Sequence, residues 1–176
     1  NLGALSHAIP IMAVKHCALQ VQPEHYQVVH DTLMETIGDI LGSAVTPEIG
    51  AGWSEAVMHL AGILIDTEKQ LYEEAANRKG GWRGWQDFVL ASKRPLTSNA
   101  NVFQFQRANG DQTPIEFTPG QYLTLKSSMK DEQGDSVAPR HYTIANQTGR
   151  PYLEIAVKAI PGGRVSNWLH NTLKVG

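Results

Sequence analysis

Residues 140–143 read Arg-His-Tyr-Thr and residues 162–168 read Gly-Gly-Arg-Val-Ser-Asn-Trp, and these two stretches decide the fold of the second half of the chain. Side chains alternate between the two faces of a strand, so Arg140 and Tyr142 are expected on one face and His141 and Thr143 on the other. A guanidinium suits a pyrophosphate, a Tyr ring can stack on a tricyclic ring system, and a Thr hydroxyl can hydrogen-bond a ring nitrogen. One short strand therefore offers three different binding groups.

The second stretch predicts a turn that leads into a helix. Gly162 and Gly163 let the backbone approach a ligand closely, and Ser166 lies where the helix is expected to begin. Exposed N–H groups and the positive end of the helix dipole favour a phosphate there. Each stretch alone is more often an ordinary sheet face or an ordinary turn. Their order along the chain, strand, strand, Gly-Gly and helix, predicts a flavin-nucleotide site.

Composition excludes several classes of protein. With 176 residues, 41% hydrophobic and 18% charged, the chain has the make-up of a soluble globular protein of one or two domains. A net charge of -2 without Lys/Arg runs argues against a nucleic-acid partner. The single cysteine, Cys17, excludes an internal disulfide, and no apolar run is long enough to span a bilayer. We therefore predict a cytoplasmic protein with no membrane span.

The two halves differ in periodicity. Apolar residues are spaced as in helices from Ile11 to about Arg78, whereas from Trp85 onward they alternate or form short β-branched runs. The seam lies near Gly80-Gly81. Because the chain starts at Asn1, with neither an initiator Met nor a signal-peptide layout, it is expected to be an internal fragment cut at both ends. Prolines, caps and glycines predict helices from Ile11 to Leu19, from Pro23 to before Gly42, and from Pro47 to before Gly80.

Glu68 breaks the apolar stripe of the third predicted helix, between Leu64 and Leu71. A charge taken out of water costs several kcal/mol unless it is paired and hydrogen-bonded. Glu68 should therefore have a specific partner, and the candidates are the polar residues on the other two stripes, His16 and Tyr26.

This trio has a chemical rationale as a haem proximal site. A neutral imidazole binds iron through one ring nitrogen, while a carboxylate that accepts from the other nitrogen fixes the tautomer and makes the ligand more electron-donating. Periodicity alone leaves open that His16 is a core histidine that makes its hydrogen bonds within the protein and binds no metal. The chain has seven histidines, and before any resemblance is considered the other six are assigned to ordinary roles.

A family resemblance decides between these readings. Residues 14–26, VKHCALQVQPEHY, resemble the proximal segment of flavohaemoglobins, with a Lys-His pair followed by a Pro-Glu-x-Tyr helix start. Residues 140–143 and 163–166 are similar to the Arg-x-Tyr-[Ser/Thr] and Gly-x-x-Ser motifs of the ferredoxin-reductase family, and PGQYL at 119–123 to its Pro-Gly-Gln-[Tyr/Phe] strand. The resemblance to the flavohaemoglobin (nitric oxide dioxygenase) family covers essentially the whole chain.

The resemblance implies a multidomain α + β fold. Residues 1–80 would be the C-terminal portion of a globin-like haem domain. Residues 81–176 would be an antiparallel Greek-key β-barrel of the ferredoxin-reductase type, C-terminally incomplete, with about six strands and one helix. The polar segment 127–139 is predicted to be an exposed loop. The predicted strands are Phe88–Lys93, Val102–Arg107, Tyr122–Leu125, His141–Ala145 and Tyr152–Ala159.

The resemblance also implies roles for individual residues. His16 would be the haem iron ligand, with Tyr26 and Glu68 as the catalytic relay behind it, and Lys15 would tune the potentials of haem and flavin. The residues expected to contact FAD are Tyr122, Arg140, His141, Tyr142 and Thr143, with Gly163, Val165 and Ser166 at its phosphates.

The implied reaction is nitric oxide dioxygenation. It uses haem b, FAD and NAD(P)H to convert NO and O2 to nitrate, and no obligate protein partner is implied. Because the distal oxygen-binding residues and the nicotinamide domain of the family lie outside these residues, the activity is assigned to the parent protein and the fragment alone is expected to be inactive. One alternative is a ferredoxin-reductase-type flavin oxidoreductase with a non-haem helical module. Another is a helical interaction domain joined to a barrel that binds no nucleotide.

Overall fold

A computed structural model of the chain describes residues 2–176, apart from the side chains of Leu2 and Ala4. It divides into two compact units, the first ending at Glu74 and the second running from Ala75 to Gly176. The first unit is helical, and the second contains antiparallel sheets and a short helix. This confirms the predicted order of a helical part followed by an antiparallel β part. The assignment of 1–80 as a haem domain and 81–176 as a flavin domain stays a prediction.

Three α-helices form the first unit, and local chemistry sets where they begin. Pro23 opens the second helix, and the Gln22 backbone N–H donates to Nδ1 of His25 in a capping box. Thr46 caps the third by accepting the N–H of Ile49. The helices are α1 (Ala8–Ala18), α2 (Pro23–Leu41) and α3 (Pro47–Asn77), with 3-10 turns at Leu2–Leu5 and Gly42–Ala44. None of the helices among residues 2–176 has both the length and the apolar character that a bilayer crossing requires.

The core of the helical unit gathers at the start of α2 and the middle of α3. Its buried members are Ala13, Tyr26, Ala61 and Leu64. Val29 and Ile40 lie on the same apolar side of α2 as Tyr26, but both are more than half exposed. Periodicity identifies an apolar face, and only a packed neighbour buries it.

The second unit contains five strands. They are β1 (Phe88–Thr97), β2 (Ala100–Arg107), β3 (Tyr122–Leu125), β4 (Arg140–Thr143) and β5 (Tyr152–Lys158), followed by α4 (Arg164–Asn171). One antiparallel sheet has the order β1-β2-β5, and β3 pairs with β4 in a second one. An isolated bridge between Ile144 and Ile155 joins the end of β4 to β5. About six strands were expected, against five among residues 2–176, and the closed barrel stays a prediction.

Alternation along β5 separates a core face from an open face. Leu153, Ile155 and Val157 are buried, whereas Ala156 and Lys158 between and after them are exposed. Val165 and Leu169 of α4, four residues apart and therefore on one helix face, belong to the same core. Burial of each large side chain contributes about 1.5–3 kcal/mol.

The loop predicted to be exposed over residues 127–139 departs from that prediction at two positions. Val137 is buried in the core of the second unit, and Ser127 is buried as well. A bridge between Lys130 and Ser136 folds the polar residues between them into a turn. Val137 then reaches the core immediately after the turn, while most of the remaining residues of the segment are exposed.

Close packing fixes the backbone at Gly80 and Gly81. The buried Arg107 donates through Nη2 to the carbonyl oxygen of Gly80 at 2.6 Å, and through Nη1 to that of Thr113 at 2.8 Å. Gly80 has a φ of 68°, and a Cβ there would lie 2.2 Å from the Pro114 carbonyl oxygen. Both the positive φ and the lack of room require glycine at position 80.

Substitution of Gly80 by alanine should destabilise the second unit by about 3 kcal/mol or more, because the added Cβ meets backbone atoms that cannot move aside. Gly110→Ala is the matched control, since Gly110 has a φ of 78° but no atom lies within 4 Å of the position that a Cβ would take. The control should lose only about 1 kcal/mol, the cost of a left-handed conformation. Urea denaturation of the two variants measures the difference, and equal losses would contradict the close packing.

Candidate functional site

A buried carboxylate links the three helices of the first unit. Glu68 on α3 is 2% exposed. The Tyr26 hydroxyl donates to Oε1 of Glu68 at 2.5 Å, and Nδ1 of His16 lies 2.7 Å from the same oxygen. Nδ1 of His16 is also 2.9 Å from the Tyr26 hydroxyl. The sequence predicts a polar partner for Glu68, and both candidates, His16 and Tyr26, contact it.

The contact with Glu68 determines which nitrogen of His16 is available to a ligand. When Nδ1 carries the proton and donates it to the carboxylate, Nε2 is unprotonated. Nε2 has no hydrogen-bond partner among residues 2–176, and the His16 side chain is 29% exposed. An imidazole with one nitrogen held by a carboxylate and the other open has the chemistry of an axial iron ligand.

Burial and the nearby Glu68 charge keep two neighbouring groups, the Tyr26 phenol and the Cys17 thiol, protonated. Burial raises the pKa of the Tyr26 phenol, and the hydrogen bond to Glu68 and the charge of Glu68 raise it further. Burial likewise raises the pKa of the Cys17 thiol to about 11, with an added effect of the Glu68 charge and an opposing effect of Tyr72. The Cys17 thiol donates to the Glu68 carbonyl oxygen at 3.6 Å. At neutral pH, Tyr26 and Cys17 therefore add no negative charge beside the carboxylate.

A groove of about 490 Å³ lies on the second unit, between β4, the open face of β5 and the start of α4. It brings together five residues that the sequence assigns to the flavin nucleotide. They are Arg140, Tyr142, Gly163, Val165 and Ser166.

A tight turn shapes one wall of this groove. The N–H of Gly163 donates to the Ile160 carbonyl oxygen at 2.8 Å, and Gly162 has a φ of 72°. Proline followed by glycine at the two central positions is typical of a type II turn. A Cβ at Gly163 would lie 2.5 Å from Oγ of Ser166 and 3.0 Å from the Ile160 carbonyl oxygen, so a side chain at position 163 would displace the Ser166 hydroxyl. The turn therefore brings the N-terminus of α4 to the groove.

The groove is electropositive. Arg140, Lys158 and Arg164 line it, and none of the lining residues is acidic. Nη1 of Arg140 donates to the carbonyl oxygens of Ala138 and Pro139, at 2.9 and 3.0 Å, which holds the guanidinium in place. The positive end of the α4 dipole adds to the field. The sequence interpretation missed Lys158 and Arg164, although Lys158 continues the exposed alternation of β5 and Arg164 opens α4.

Three other predicted flavin residues lie away from the groove. Pairing of Tyr122 with Thr143, and of Thr124 with His141, puts all four on one face of the β3–β4 sheet, opposite Arg140 and Tyr142. The rings of Tyr122 and His141 are 4.8 Å apart, and Nδ1 of His141 is 3.0 Å from Oγ1 of Thr124. The structure therefore divides the eight predicted flavin residues: five line the groove, and three lie on the opposite face of the β3–β4 sheet.

Lys15 precedes His16 on α1, and its side chain is exposed. Neighbouring residues on a helix point in different directions, so the side chains of Lys15 and His16 leave α1 at different angles.

Comparison with known proteins defines first a class and then a family. Residues 87–176 match the oxidoreductase FAD-binding domain family, so the groove lies in a domain of that class. The chain is 36% identical to a flavohemoprotein of Rhodopirellula baltica and 38% identical to flavohemoprotein A of Dictyostelium discoideum, each match covering 100% of this chain. It belongs to the flavohaemoglobin family.

One crystal structure is similar to this chain over nearly its whole length. Flavohemoglobin from Malassezia yamatoensis, determined with bound FAD and heme, superposes with a TM-score of 0.78 at 28% identity, covering 97% of this chain and 42% of that one. The chain spans 44% of the length of the two flavohemoproteins.

The thiol of Cys17 should react slowly with iodoacetamide at pH 8. A pKa raised from 9.0 to about 11 lowers the thiolate fraction on the order of a hundredfold relative to the unfolded chain. Glu68→Gln should speed the reaction, because it removes a negative charge that disfavours the thiolate. Glu73→Gln, on an exposed position of the same helix, is the control. Mass spectrometry measures the rate of alkylation. If the folded wild type reacts as fast as the unfolded chain, the raised pKa of Cys17 is wrong.

Proposed function

We propose that this chain is the part of a nitric oxide dioxygenase that supplies the proximal haem ligand and the main FAD contacts. The observation that carries the proposal is the His16–Glu68 contact, which leaves Nε2 of His16 open. Membership of the flavohaemoglobin family supports it, as does a relative whose structure contains both FAD and heme.

On the haem side, His16 is the proposed iron ligand through Nε2. Glu68 accepts a hydrogen bond from the Nδ1 N–H of His16, and Tyr26 donates a second hydrogen bond to the same carboxylate oxygen. Glu68 therefore holds the imidazole ring in one orientation and increases the electron density on Nε2. Tyr26 limits that effect by sharing the charge of the carboxylate. Lys15 is proposed to adjust the local potential by its positive charge.

On the flavin side, Arg140 and the start of α4 are proposed to hold the pyrophosphate of FAD. Gly163 and Val165 offer backbone at the helix start, and Ser166 offers a hydroxyl that here accepts the Ile160 N–H at 3.3 Å. Tyr142 lies half-buried in the same groove, where its ring can stack on an isoalloxazine. Tyr122, His141 and Thr143 are proposed to contact the flavin from the opposite face of the strand pair.

FAD, when bound, would supply the conversion of a two-electron hydride from NAD(P)H into single electrons, and haem would supply the site where NO and O2 form nitrate with one electron each. The residues of this chain orient the two cofactors, neutralise the phosphate charges of FAD and keep the Nδ1 proton on His16. NO and O2 are small and uncharged, so they require no charged binding residue.

A second candidate is a flavin oxidoreductase whose helical unit binds no haem. One observation favours it, because the groove is built entirely from residues between Arg140 and Ser166 and needs no helix of the first unit. The two candidates differ in their spectra, since only the dioxygenase shows a Soret band beside the flavin absorption.

In the full-length protein, His16→Ala should abolish the Soret band and NO consumption while FAD remains bound. The reason is that His16 is the proposed iron ligand and lies outside the flavin groove. His59→Ala, an exposed histidine of α3, should change neither spectrum. A Soret band that survives in His16→Ala, or that is missing from the wild type, would refute the haem assignment.

Arg140→Gln should weaken FAD binding about tenfold or more, because it removes a charge-assisted hydrogen bond to a phosphate. Arg150→Gln is the control, since Arg150 is exposed and bonds Gln147 at 3.2 Å away from the groove lining. Quenching of flavin fluorescence measures both affinities. An unchanged affinity for Arg140→Gln would remove Arg140 from the site.

A further inference from the structure

Two cations of the groove, Lys158 and Arg164, are not specified by either flavin motif: Lys158 lies outside both, and Arg164 occupies an unspecified position of Gly-x-x-Ser. Lys158 is the last residue of β5, on its open face, and Arg164 is the first residue of α4. Both line the groove with Arg140. The three side chains therefore reach the same space from different elements: Lys158 from β5, Arg164 from the start of α4, and Arg140 from β4.

The charges of these two side chains are not neutralised by the protein. Within residues 2–176, neither side chain has an ion pair or a hydrogen bond, and both are exposed. Other arginines of the second unit are already engaged, since Arg107 holds backbone carbonyls and Arg94 lies 3.4 Å from Glu154. Two cations without counterions in a groove that has no acidic lining disfavour each other unless an anion joins them.

Small residues leave room for that anion. Ala156, one alternation before Lys158, lines the groove with only a methyl group, and the Gly162-Gly163 pair adds no side chain on the opposite wall. A group with two linked phosphates has several acceptor oxygens, enough for three cations and the N–H groups of a helix start.

We propose that Lys158 and Arg164 are phosphate-binding residues that, together with Arg140, form a three-cation clamp for the pyrophosphate of FAD. The inference rests on the proposed function, because it takes FAD as the ligand of the groove. Since Lys158 and Arg164 are exposed before FAD binds, their contribution is screened by salt, and FAD retention depends on ionic strength.

The test measures flavin affinity in the full-length protein after removal of its flavin. FAD and riboflavin are titrated into the wild type, Lys158→Gln, Arg164→Gln, Arg164→Lys and Lys174→Gln, at about 50 and 300 mM NaCl. Riboflavin has the same ring system and no phosphate, so it separates ring binding from phosphate binding. Lys174 is an exposed lysine outside the groove and serves as the control.

Each glutamine variant should bind FAD about tenfold more weakly at the lower salt concentration and bind riboflavin as the wild type does. Arg164→Lys should recover part of the loss, and Lys174→Gln should lose nothing. Higher salt should narrow the gap between wild type and variants. Inorganic pyrophosphate should compete with FAD in the wild type and less in the variants.

The outcomes separate the two proposals. If the wild type binds no FAD, the proposed function fails. If the wild type binds FAD and both glutamine variants bind it equally well, the clamp is wrong while the function stands. Equal losses for FAD and riboflavin would also overturn the clamp, because the residues would then act on the ring or on the fold. Urea denaturation of the flavin-free variants identifies an effect on the fold.

Discussion

The helical unit is organised around the burial of one carboxylate. Removing Glu68 from water costs several kcal/mol, and the hydrogen bonds from Tyr26 and His16 offset that cost. Because the three residues come from three different helices, satisfying the charge also fixes how those helices pack. Burial raises the pKa of Tyr26 and of Cys17, and the Glu68 charge raises both further, so these neighbours stay neutral. A single desolvated group thus links packing, protonation and the proposed ligand chemistry of His16.

The second unit shows the opposite arrangement of charge. Its groove is lined by three cations and a helix N-terminus and has no acidic lining residue. Only a bound anion can therefore neutralise its positive charge. The turn at residues 160–163 makes this possible, since a proline and two glycines bring the start of α4 against the open face of β5. One unit therefore buries a negative charge with internal partners, and the other holds positive charge open for a ligand.

Sequence reasoning succeeded where a residue broke a local pattern. Glu68 on an apolar stripe predicted its own partners, and glycines at 162 and 163 predicted a turn into a helix. It failed where the outcome depended on residues distant in sequence. Lys158 and Arg164 resemble ordinary surface cations until β5 and α4 are adjacent, and Val137 reads as part of a polar loop until the turn returns it to the core. Val29 and Ile40 continue the apolar stripe of α2, yet no element in the described part of the chain covers them.

The sequence alone determined the kinds of element and their order, because periodicity, caps and turn residues act over a few neighbouring positions. Helix α2 begins at the predicted Pro23, and β3 runs from Tyr122 to Leu125 as predicted. Tertiary structure decided which polar groups meet, which face of β4 lines the groove, and which cations surround one space. Those choices depend on contacts between residues far apart in the chain, and a distance in space cannot be read from a spacing in sequence.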